Sequence, residues 1–412
     1  MVLDPKRQIP PGEMTANVQW LDALLRHQIF ILRTAGSVRN DVTALLNATE
    51  KDIADRIRKA LQMDPAKLTQ RLKRAEKLIE QIRAVRNKAW DKVDEEWIAT
   101  MTEFVKGETT FLKNTLELVV PVEIAAKLPS ISTLRSLIKD RPFEGKVLKD
   151  WAKKIRRDDI DRIAQQVRIG IVQGESSQVI ARRVVGTAQL RGRDGVTQIT
   201  RRNAEAISRT AIIHFSDAAR NEFLMANADF FENELFVATL DSRTTPVCRK
   251  NDGQIFPLGI GPRPPLHWNC RSLRVAIINN QVIGWRPAKP VTQRMLLREF
   301  CQQNGIRTVS ARQYLPYGYM TKFDSFARRR IREMTGQVPA KVSYGEWLGR
   351  QSREFQDDVL GITRGRLFRR GGVTLDQFVD RTGREIPLSR LAETEASAFR
   401  SAGLDPEKFL LN

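Results

Sequence analysis

One segment of this chain can hardly fold as anything other than long helices. Residues 16–106 contain a single glycine, Gly36, and a single proline, Pro65. Apolar residues recur every three or four positions through "WLDALLRHQIFIL" and again through "LKRAEKLIEQIRAV", which is the spacing of one helix face. We predict an elongated helical hairpin or bundle that Gly36 interrupts. Its apolar stripes exceed what a free pair of helices can bury, so we expect a protein partner or self-association to cover the remainder.

The composition of the sequence changes near residue 120, where prolines and a glycine appear. The stretches "VVPVEIAAKLPSISTL" and "KDRPFEGKVL" are typical of a linker. Downstream, the apolar spacing predicts helices over residues 148–171, 177–185 and 197–227. Two stretches rich in β-forming residues, "ELFVATLD" and "RSLRVAII", alternate two sets of side chains and predict a pair of strands.

Beyond residue 290 the sequence returns to basic helical patterns. We expect a small core there, formed by Trp347, Phe355, Leu360, Leu367 and Phe368. These changes in composition and apolar spacing divide the chain into a helical N-terminal arm (1–120), a central domain (121–285) and a basic helical C-terminal region (286–412). The predicted fold class is mostly α with a small α+β central domain.

The charge of the chain points to a polyanionic partner. Lys and Arg number 69 against 48 Asp and Glu, which gives a formal net charge of +21. Such a surplus favours nucleic acid as the partner. No recognition-helix motif, zinc-finger spacing or base-stacking aromatic pair is evident, so we predict contacts to phosphates that ignore base sequence. The central residues predicted to make these contacts are Lys153, Lys154, Arg156, Arg157, Arg182, Arg183, Arg191, Arg193, Arg201 and Arg202.

The cysteine content and the hydropathy of the sequence indicate in which cellular compartment the chain is made. The three cysteines, Cys248, Cys270 and Cys301, cannot form a disulfide framework, which favours a reducing environment. The start of the sequence lacks the apolar core of a signal peptide, and no run approaches 18 uncharged apolar residues. We therefore expect synthesis in the cytoplasm and no membrane span.

The residues best suited to metal binding or catalysis lie between the two predicted strands. In "LDSRTTPVCRKNDGQIF", Thr244 or Thr245 can cap a short helix whose first residue is Pro246. Asp252-Gly253 follows as a tight turn. In "RPPLHWNCRS" a double proline holds the backbone extended and delivers His267 and Cys270 to a fixed place.

Three interpretations of these residues stay open. Zinc can be held by Cys248, His267 and Cys270, with Asp241 or His214 as fourth ligand, although the spacing lacks the chelating pairs of a zinc finger. Alternatively, Cys270 is a nucleophile that His267 or His214 activates. The favoured interpretation is structural. His267 is buried and hydrogen-bonded to Asp241 or to a backbone carbonyl, and the cysteines pack as small apolar groups. We thus expect no catalytic residue and no cofactor.

Taken together, these residues resemble the phage Mu protein F-like family of minor head proteins, also called head morphogenesis proteins. The resemblance rests on "SRTAIIHFSDAAR", "TLDSRTTPVCRKNDGQIF" and "RPPLHWNCRS", in that order, and covers about residues 145–280. The positions that match the family pattern are Arg209, Asp241, Cys248, Gly253, His267 and Cys270. An Arg209–Asp241 ion pair would fix the fold without any chemistry. Family members often carry Cys-Arg-Cys where this chain has Cys270-Arg271-Ser272, and often an acidic residue near His214. Both differences remove candidate zinc ligands.

The resemblance implies a low-copy, non-enzymatic component of the virion, made in the host cytoplasm. It would lie in the head interior or at the head–tail vertex and act in head assembly and in genome packaging or delivery. Expected partners are the portal protein, double-stranded DNA bound without sequence preference, and the major capsid or scaffolding protein. An alternative from another class is an enzyme carried in the virion, either a Cys- or metal-dependent hydrolase or a toxin-like transferase.

Overall fold

The computed structural model describes residues 15–61, 68–120, 124–190, 192–278, 282 and 284–410. The N-terminal segment of the chain forms three helices. These are α1 (Ala16–Asn47), α2 (Glu50–Ala60) and α3 (Leu68–Val119). The predicted interruption at Gly36 is wrong, because α1 runs through it without a break. A glycine inside a helix costs only about 1 kcal/mol, and burial of the neighbouring Ala35 and Val38 outweighs that cost. The chain turns instead at Ala48–Thr49, where Thr49 Oγ1 donates to the carbonyl of Leu46 at 2.8 Å.

The central helices lie close to the predicted positions. They are α4 (Ile131–Asp140), α5 (Leu148–Val172), α6 (Ser177–Val185) and α7 (Thr197–Ala226). Ser176 caps α6, since its Oγ accepts from the amide of Val179 at 3.3 Å. Gly186 ends that helix with a φ of 80°, a conformation that a side chain would strain.

Two small sheets follow the central helices. The first contains β1 (Asn233–Val237), β3 (Ile255–Pro257) and β4 (Leu273–Ile277), all antiparallel, in the order β3-β1-β4. The second contains β2 (Leu240–Asp241), β5 (Trp285–Lys289) and β6 (Gly336–Pro339), in the order β2-β5-β6. The predicted pairing of the two strand segments is confirmed, with Leu235 opposite Val275. The segment predicted as one strand over 234–241 is divided, however, and its two parts serve different sheets.

Short helices make up most of the remaining chain. One turn, α8 (Pro246–Asn251), lies between β2 and β3. After β5 the helices are α9 (Gln293–Gln303), α10 (Tyr319–Met334), α11 (Tyr344–Gly349), α12 (Arg353–Leu360), α13 (Ile362–Arg366), α14 (Leu388–Thr394), α15 (Ala396–Ser401) and α16 (Glu407–Leu410). Four residues of the predicted core, Trp347, Phe355, Leu360 and Leu367, are buried together, and Phe368 packs against them partly buried. The fold class, mostly α with a small α+β centre, is confirmed.

The N-terminal helices are packed onto the centre of the chain. Helices α1 and α3 share one hydrophobic core with α5 and α7, which includes Ile31, Trp90, Trp97, Ile155 and Phe215. Most of the apolar stripe residues of these helices are therefore buried within the chain itself. Intramolecular packing thus replaces most of the cover that was expected from another protein, because a stripe shows that a face is buried but not what covers it. Ile29 and Phe30 of α1 and Ile98 of α3 stay exposed.

Candidate functional site

Cys248, His267 and Cys270 converge on one point. Cys248 lies on α8, and the other two residues lie in the loop that leads into β4. The sulfur of Cys248 is 3.3 Å from Nε2 of His267 and 3.8 Å from the sulfur of Cys270. All three ligand atoms lie within 4.8 Å of one another. Each cysteine is only 1% exposed, whereas His267 is half-buried.

Local sequence explains why α8 stands where it does. Thr245 is the N-cap residue and Pro246 follows as the first helical residue, as predicted, although the Thr245 hydroxyl makes no capping hydrogen bond. At the other end, the carboxylate of Asp252 accepts from the amide of Ala238 at 2.6 Å and from both terminal nitrogens of Arg286. Gly253 then turns the chain with a φ of 80°, which confirms the predicted turn. These bonds fix Cys248 relative to β1 and β5.

The loop that carries His267 and Cys270 is tied to α7. The amide of Cys270 donates to the carbonyl of His267 at 3.1 Å, which closes a tight turn. Within that turn the amide of Asn269 donates to Thr210 Oγ1 at 3.0 Å. The Pro264–Pro265 peptide bond that precedes the turn is cis. His267 and Cys270 are therefore presented to Cys248 by a turn that a buried helix anchors.

The cluster favours negative charge on sulfur. The hydrogen bond from Cys248, together with the imidazole of His267, holds the pKa of Cys270 well below its usual range. The same contact, together with burial, raises the pKa of Cys248. Burial opposes protonation of His267, but contact with Cys270 outweighs it and raises the pKa of the imidazole. One thiolate can thus be shared between the two sulfurs.

The hydrogen-bond partners of His267 and Asp241 differ from part of the prediction. His267 Nδ1 lies 2.9 Å from the carbonyl of Trp268, which is the backbone alternative rather than Asp241. Asp241 instead accepts two hydrogen bonds from Arg271, at 2.6 and 2.7 Å. The predicted Arg209–Asp241 ion pair is wrong, because Arg209 lies on the exposed face of α7 and pairs with Glu205 at 3.3 Å.

Neither residue considered as a fourth zinc ligand joins the cluster. The carboxylate of Asp241 is occupied by Arg271. His214 packs against Phe143, with ring centroids 5.4 Å apart, and burial lowers its pKa to about 4. Within the part of the chain that the structure describes, the group of potential metal ligands consists of Cys248, His267 and Cys270.

A cavity of about 490 Å³ has Cys270 in its wall. Apolar residues of α1, among them Ile29 and Leu32, form part of its wall. Its charged lining residues are all basic: Arg33, Arg209, Arg243, Arg271, Arg286 and Lys289. The cysteine–histidine cluster therefore lies next to a cavity lined by basic side chains, four of which are paired with acidic residues.

A cleft of about 620 Å³ between α3, α4 and α5 is lined by five basic residues. We call it the basic cleft. Two predicted phosphate-contacting residues, Lys153 and Arg156, line it. Sequence reasoning missed its other three cations, Arg135, Lys139 and Lys149. The signal was present as two i,i+4 pairs, 135/139 and 149/153, on helices joined by a short turn. Four of the five cations are exposed, and the fifth is Arg156.

Several other predicted phosphate-contacting residues have protein partners. Arg156 donates to Asp91 at 2.7 Å, Lys154 to Asp158 at 2.5 Å, and Arg183 to Glu175. The prediction that Arg201 contacts phosphates is not supported, because the Arg201 side chain is buried between Asn47, Glu50 and the carbonyl of Gly192. Arg157, Arg182, Arg193 and Arg202 are exposed, and Arg191 lies outside the described residues.

The loop that contains Arg193 lies close enough to α10 of the C-terminal region for the charge of Arg193 to act on Asp324. Arg312 donates to Asp324 of α10 and lowers the pKa of that carboxyl, and Arg328 and Arg193 lower it further. Arg193 must therefore lie near α10, whose exposed residues include Arg328, Arg329 and Arg332. Positive charge from distant parts of the sequence is brought together here.

Comparison with known protein families identifies the central part of the chain. Residues 161–274, from α5 to β4, match the family described as phage Mu protein F like protein. The matched segment contains α6, α7 and the whole cysteine–histidine cluster. This match suggests a virion-associated protein of phage head morphogenesis. The chain carries a phage Mu protein F-like domain.

The match favours a structural role over an enzymatic one. Comparison with curated proteins and with solved structures finds no match for this chain. None of the described helices has the length and apolar character needed to cross a membrane.

Proposed function

We propose that this protein is a low-copy component of the phage head, located near the portal. There it acts in head assembly and in packaging or delivery of the genome. It does so by binding the portal protein and by binding double-stranded DNA without sequence preference. The major capsid or scaffolding protein is a further partner. The basic cleft is the observation that carries the DNA-binding part of this proposal.

The electrostatics of the basic cleft suit the phosphate backbone. Arg135, Lys139, Lys149 and Lys153 reach solvent from two adjacent helices. The one acidic lining residue, Asp94, lies 3.8 Å from Arg156 and so is already compensated. Four uncompensated cations on one surface attract phosphates but carry no means of distinguishing bases.

Removing the four cations should weaken DNA binding and flatten its salt dependence. We expect the slope of log affinity against log salt to become less steep by about 0.9 for each DNA phosphate that the variant no longer neutralises. Binding should be measured by fluorescence anisotropy on two unrelated duplexes over a salt series. The variant combines Arg135→Gln, Lys139→Gln, Lys149→Gln and Lys153→Gln.

A matched control removes the same charge from another surface. The control variant combines four exposed residues of the C-terminal region: Arg381→Gln, Arg384→Gln, Arg400→Gln and Lys408→Gln. It should leave the salt slope close to that of the unmodified protein. An equal effect of both variants would mean that only net charge matters, and an unchanged slope in the cleft variant would exclude the cleft. A clear preference for one duplex would contradict phosphate-dominated binding.

For the portal protein we propose a binding surface at the groove between α1 and α3. This groove has a volume of about 630 Å³, and its wall includes Phe30 and Phe104. Phe30 is 55% exposed although most apolar residues of α1 are covered by the chain itself. An exposed aromatic residue beside a groove is the kind of side chain that dominates binding energy at protein interfaces.

Phe30→Ala should therefore weaken recovery of the portal protein. We expect a loss of affinity of about tenfold, the effect of removing one interface anchor. The measurement is co-purification, followed by biolayer interferometry with the portal protein of the same phage. Tyr317→Ala, which removes a fully exposed aromatic residue far from the groove in sequence, is the control. Equal binding by Phe30→Ala and the unmodified protein would remove this groove from the interface.

A further inference from the structure

The geometry points to a zinc site formed by Cys248, His267 and Cys270, in which two thiolates and one imidazole hold a single Zn²⁺ ion. This inference is independent of the proposed DNA and portal interactions. It concerns how the central domain is held together. Binding releases the thiol protons to solvent, so that two thiolate charges balance the dication.

The interatomic distances fit a tetrahedral zinc site. With Zn–S near 2.3 Å and Zn–N near 2.0–2.1 Å, tetrahedral angles place two sulfurs about 3.8 Å apart and a sulfur and a nitrogen about 3.6 Å apart. The sulfurs of Cys248 and Cys270 are 3.8 Å apart, and Cys248 is 3.3 Å from Nε2 of His267. These two separations lie within a few tenths of an ångström of the zinc geometry, and all three ligand atoms lie within 4.8 Å of one another.

The imidazole already has the required tautomer. Nδ1 of His267 lies 2.9 Å from the carbonyl oxygen of Trp268, and a carbonyl can only accept, so Nδ1 carries the proton. Nε2 then presents its lone pair toward Cys248. A histidine ligand whose other nitrogen donates to a backbone carbonyl is the usual arrangement around zinc.

The surroundings favour three protein ligands with one position left over. Asp241 is held by Arg271, and among the described residues the group whose ligand atoms lie within 4.8 Å of one another has only these three members. Cys270 lines the cavity of about 490 Å³, from which a water molecule would occupy the remaining position. The ion would join α8 to the loop before β4, and so hold these two parts of the central domain together.

Metal content of the full-length protein tests this inference. Protein purified without an affinity tag from zinc-supplemented medium should contain about one zinc per chain by mass spectrometry. Cys248→Ser, Cys270→Ser and His267→Ala should each lose most of it. Cys301→Ser is the control, because Cys301 is also fully buried but lies in a separate core with Phe300 and Phe323. This variant should keep its zinc.

A spectroscopic measurement on the unmodified protein removes any dependence on whether the variants fold. Replacing zinc by Co²⁺ should give a thiolate-to-cobalt charge-transfer band and the visible bands of tetrahedral cobalt. Substoichiometric zinc together with absence of these bands would overturn the proposal. Zinc retained by both cysteine variants would show an adventitious ion only. A Cys248–Cys270 disulfide in protein kept under reducing conditions would also exclude the site. None of these outcomes bears on the DNA or portal measurements.

Discussion

Replacing Asp159 with alanine is expected to lower the free energy of unfolding by about 3–5 kcal/mol, the cost of leaving a buried charge without its partner. Asp159 on α5 is fully buried and accepts from Arg86 Nε at 2.6 Å and from Trp90 Nε1 at 2.9 Å, both on α3. It also accepts from Thr200 Oγ1 on α7 at 2.6 Å. One carboxylate thus joins three helices.

The cost is high because Arg86 would lose the carboxylate to which it is hydrogen-bonded. Its side chain is also fully buried, and its remaining donors are used by the Leu46 carbonyl and by Thr49 at the turn after α1. Glu50, which also interacts electrostatically with Arg86, is already paired with Arg201. The destabilisation should extend from α5 to the turn between α1 and α2.

The adjacent residue provides a matched control. Asp158 carries the same charge but is partly exposed and pairs with Lys154 at 2.5 Å on the surface of α5. Asp158→Ala should change stability by no more than about 1 kcal/mol, because exposed ion pairs contribute little. Chemical denaturation of both variants gives the comparison. A double variant, Arg86→Met with Asp159→Ala, should be less destabilised than the sum of its parts. Equal midpoints for Asp158→Ala and Asp159→Ala would contradict the role given to the buried pair.

The helices of this fold could be predicted from sequence because apolar spacing is a local property. The beginnings and ends of α5, α6 and α7 follow from that spacing and from capping residues such as Ser176. What covers each apolar face is a tertiary property. The burial of the α1 and α3 stripes against α5 and α7 was for that reason beyond the reach of periodicity.

The second sheet left almost no trace in the sequence. Its strand β2 has two residues, too few for any alternation to be read. Strand β6 consists of Gly336, Gln337, Val338 and Pro339, and two of these residue types are uncommon in strands. Pairing with β5 and packing in the C-terminal core override that preference. Strand β2 was consequently predicted as the end of a longer strand.

The candidate site was half predictable. The residue types and the rigid turns around Cys248, His267 and Cys270 singled them out, but a separation of 22 positions between the cysteines says nothing about distance. Their convergence depends on the pairing of β1 with β4 and on the hydrogen bonds of Asp252 with Ala238 and Arg286. The Arg209–Asp241 prediction failed for the same reason, since only the fold shows that Arg271 is closer.

Gly195→Ala should be the second strongly destabilising change, with a cost of about 1–3 kcal/mol or more, as for other insertions into close-packed structure. Gly195 lies in the loop between α6 and α7. A methyl group there would overlap backbone atoms of Gly186 and Val185 and lie 2.8 Å from the carbonyl oxygen of Val184. Backbone atoms at the end of a buried helix cannot move aside as a flexible side chain can.

The loop that would have to shift is itself closely held. The amide of Thr187 donates to Asp194 at 2.8 Å, the amide of Val196 donates to the carbonyl of Arg183 at 3.0 Å, and Arg201 donates to the carbonyl of Gly192 at 2.6 Å. Displacing Gly195 strains these bonds together. The change should therefore lower the thermal midpoint and increase hydrogen exchange at residues 186–196.

Gly36→Ala is the matched control, with an effect of opposite sign. Gly36 lies inside α1, and a methyl group there would meet no atom within 4 Å. Alanine should stabilise the helix by about 0.5–1 kcal/mol, because it loses less conformational freedom on folding. Differential scanning calorimetry on both variants separates local crowding from a general effect of adding a methyl group. If Gly195→Ala melted at or above the temperature of the unmodified protein, the loop would have to be looser than its packing against α6 indicates.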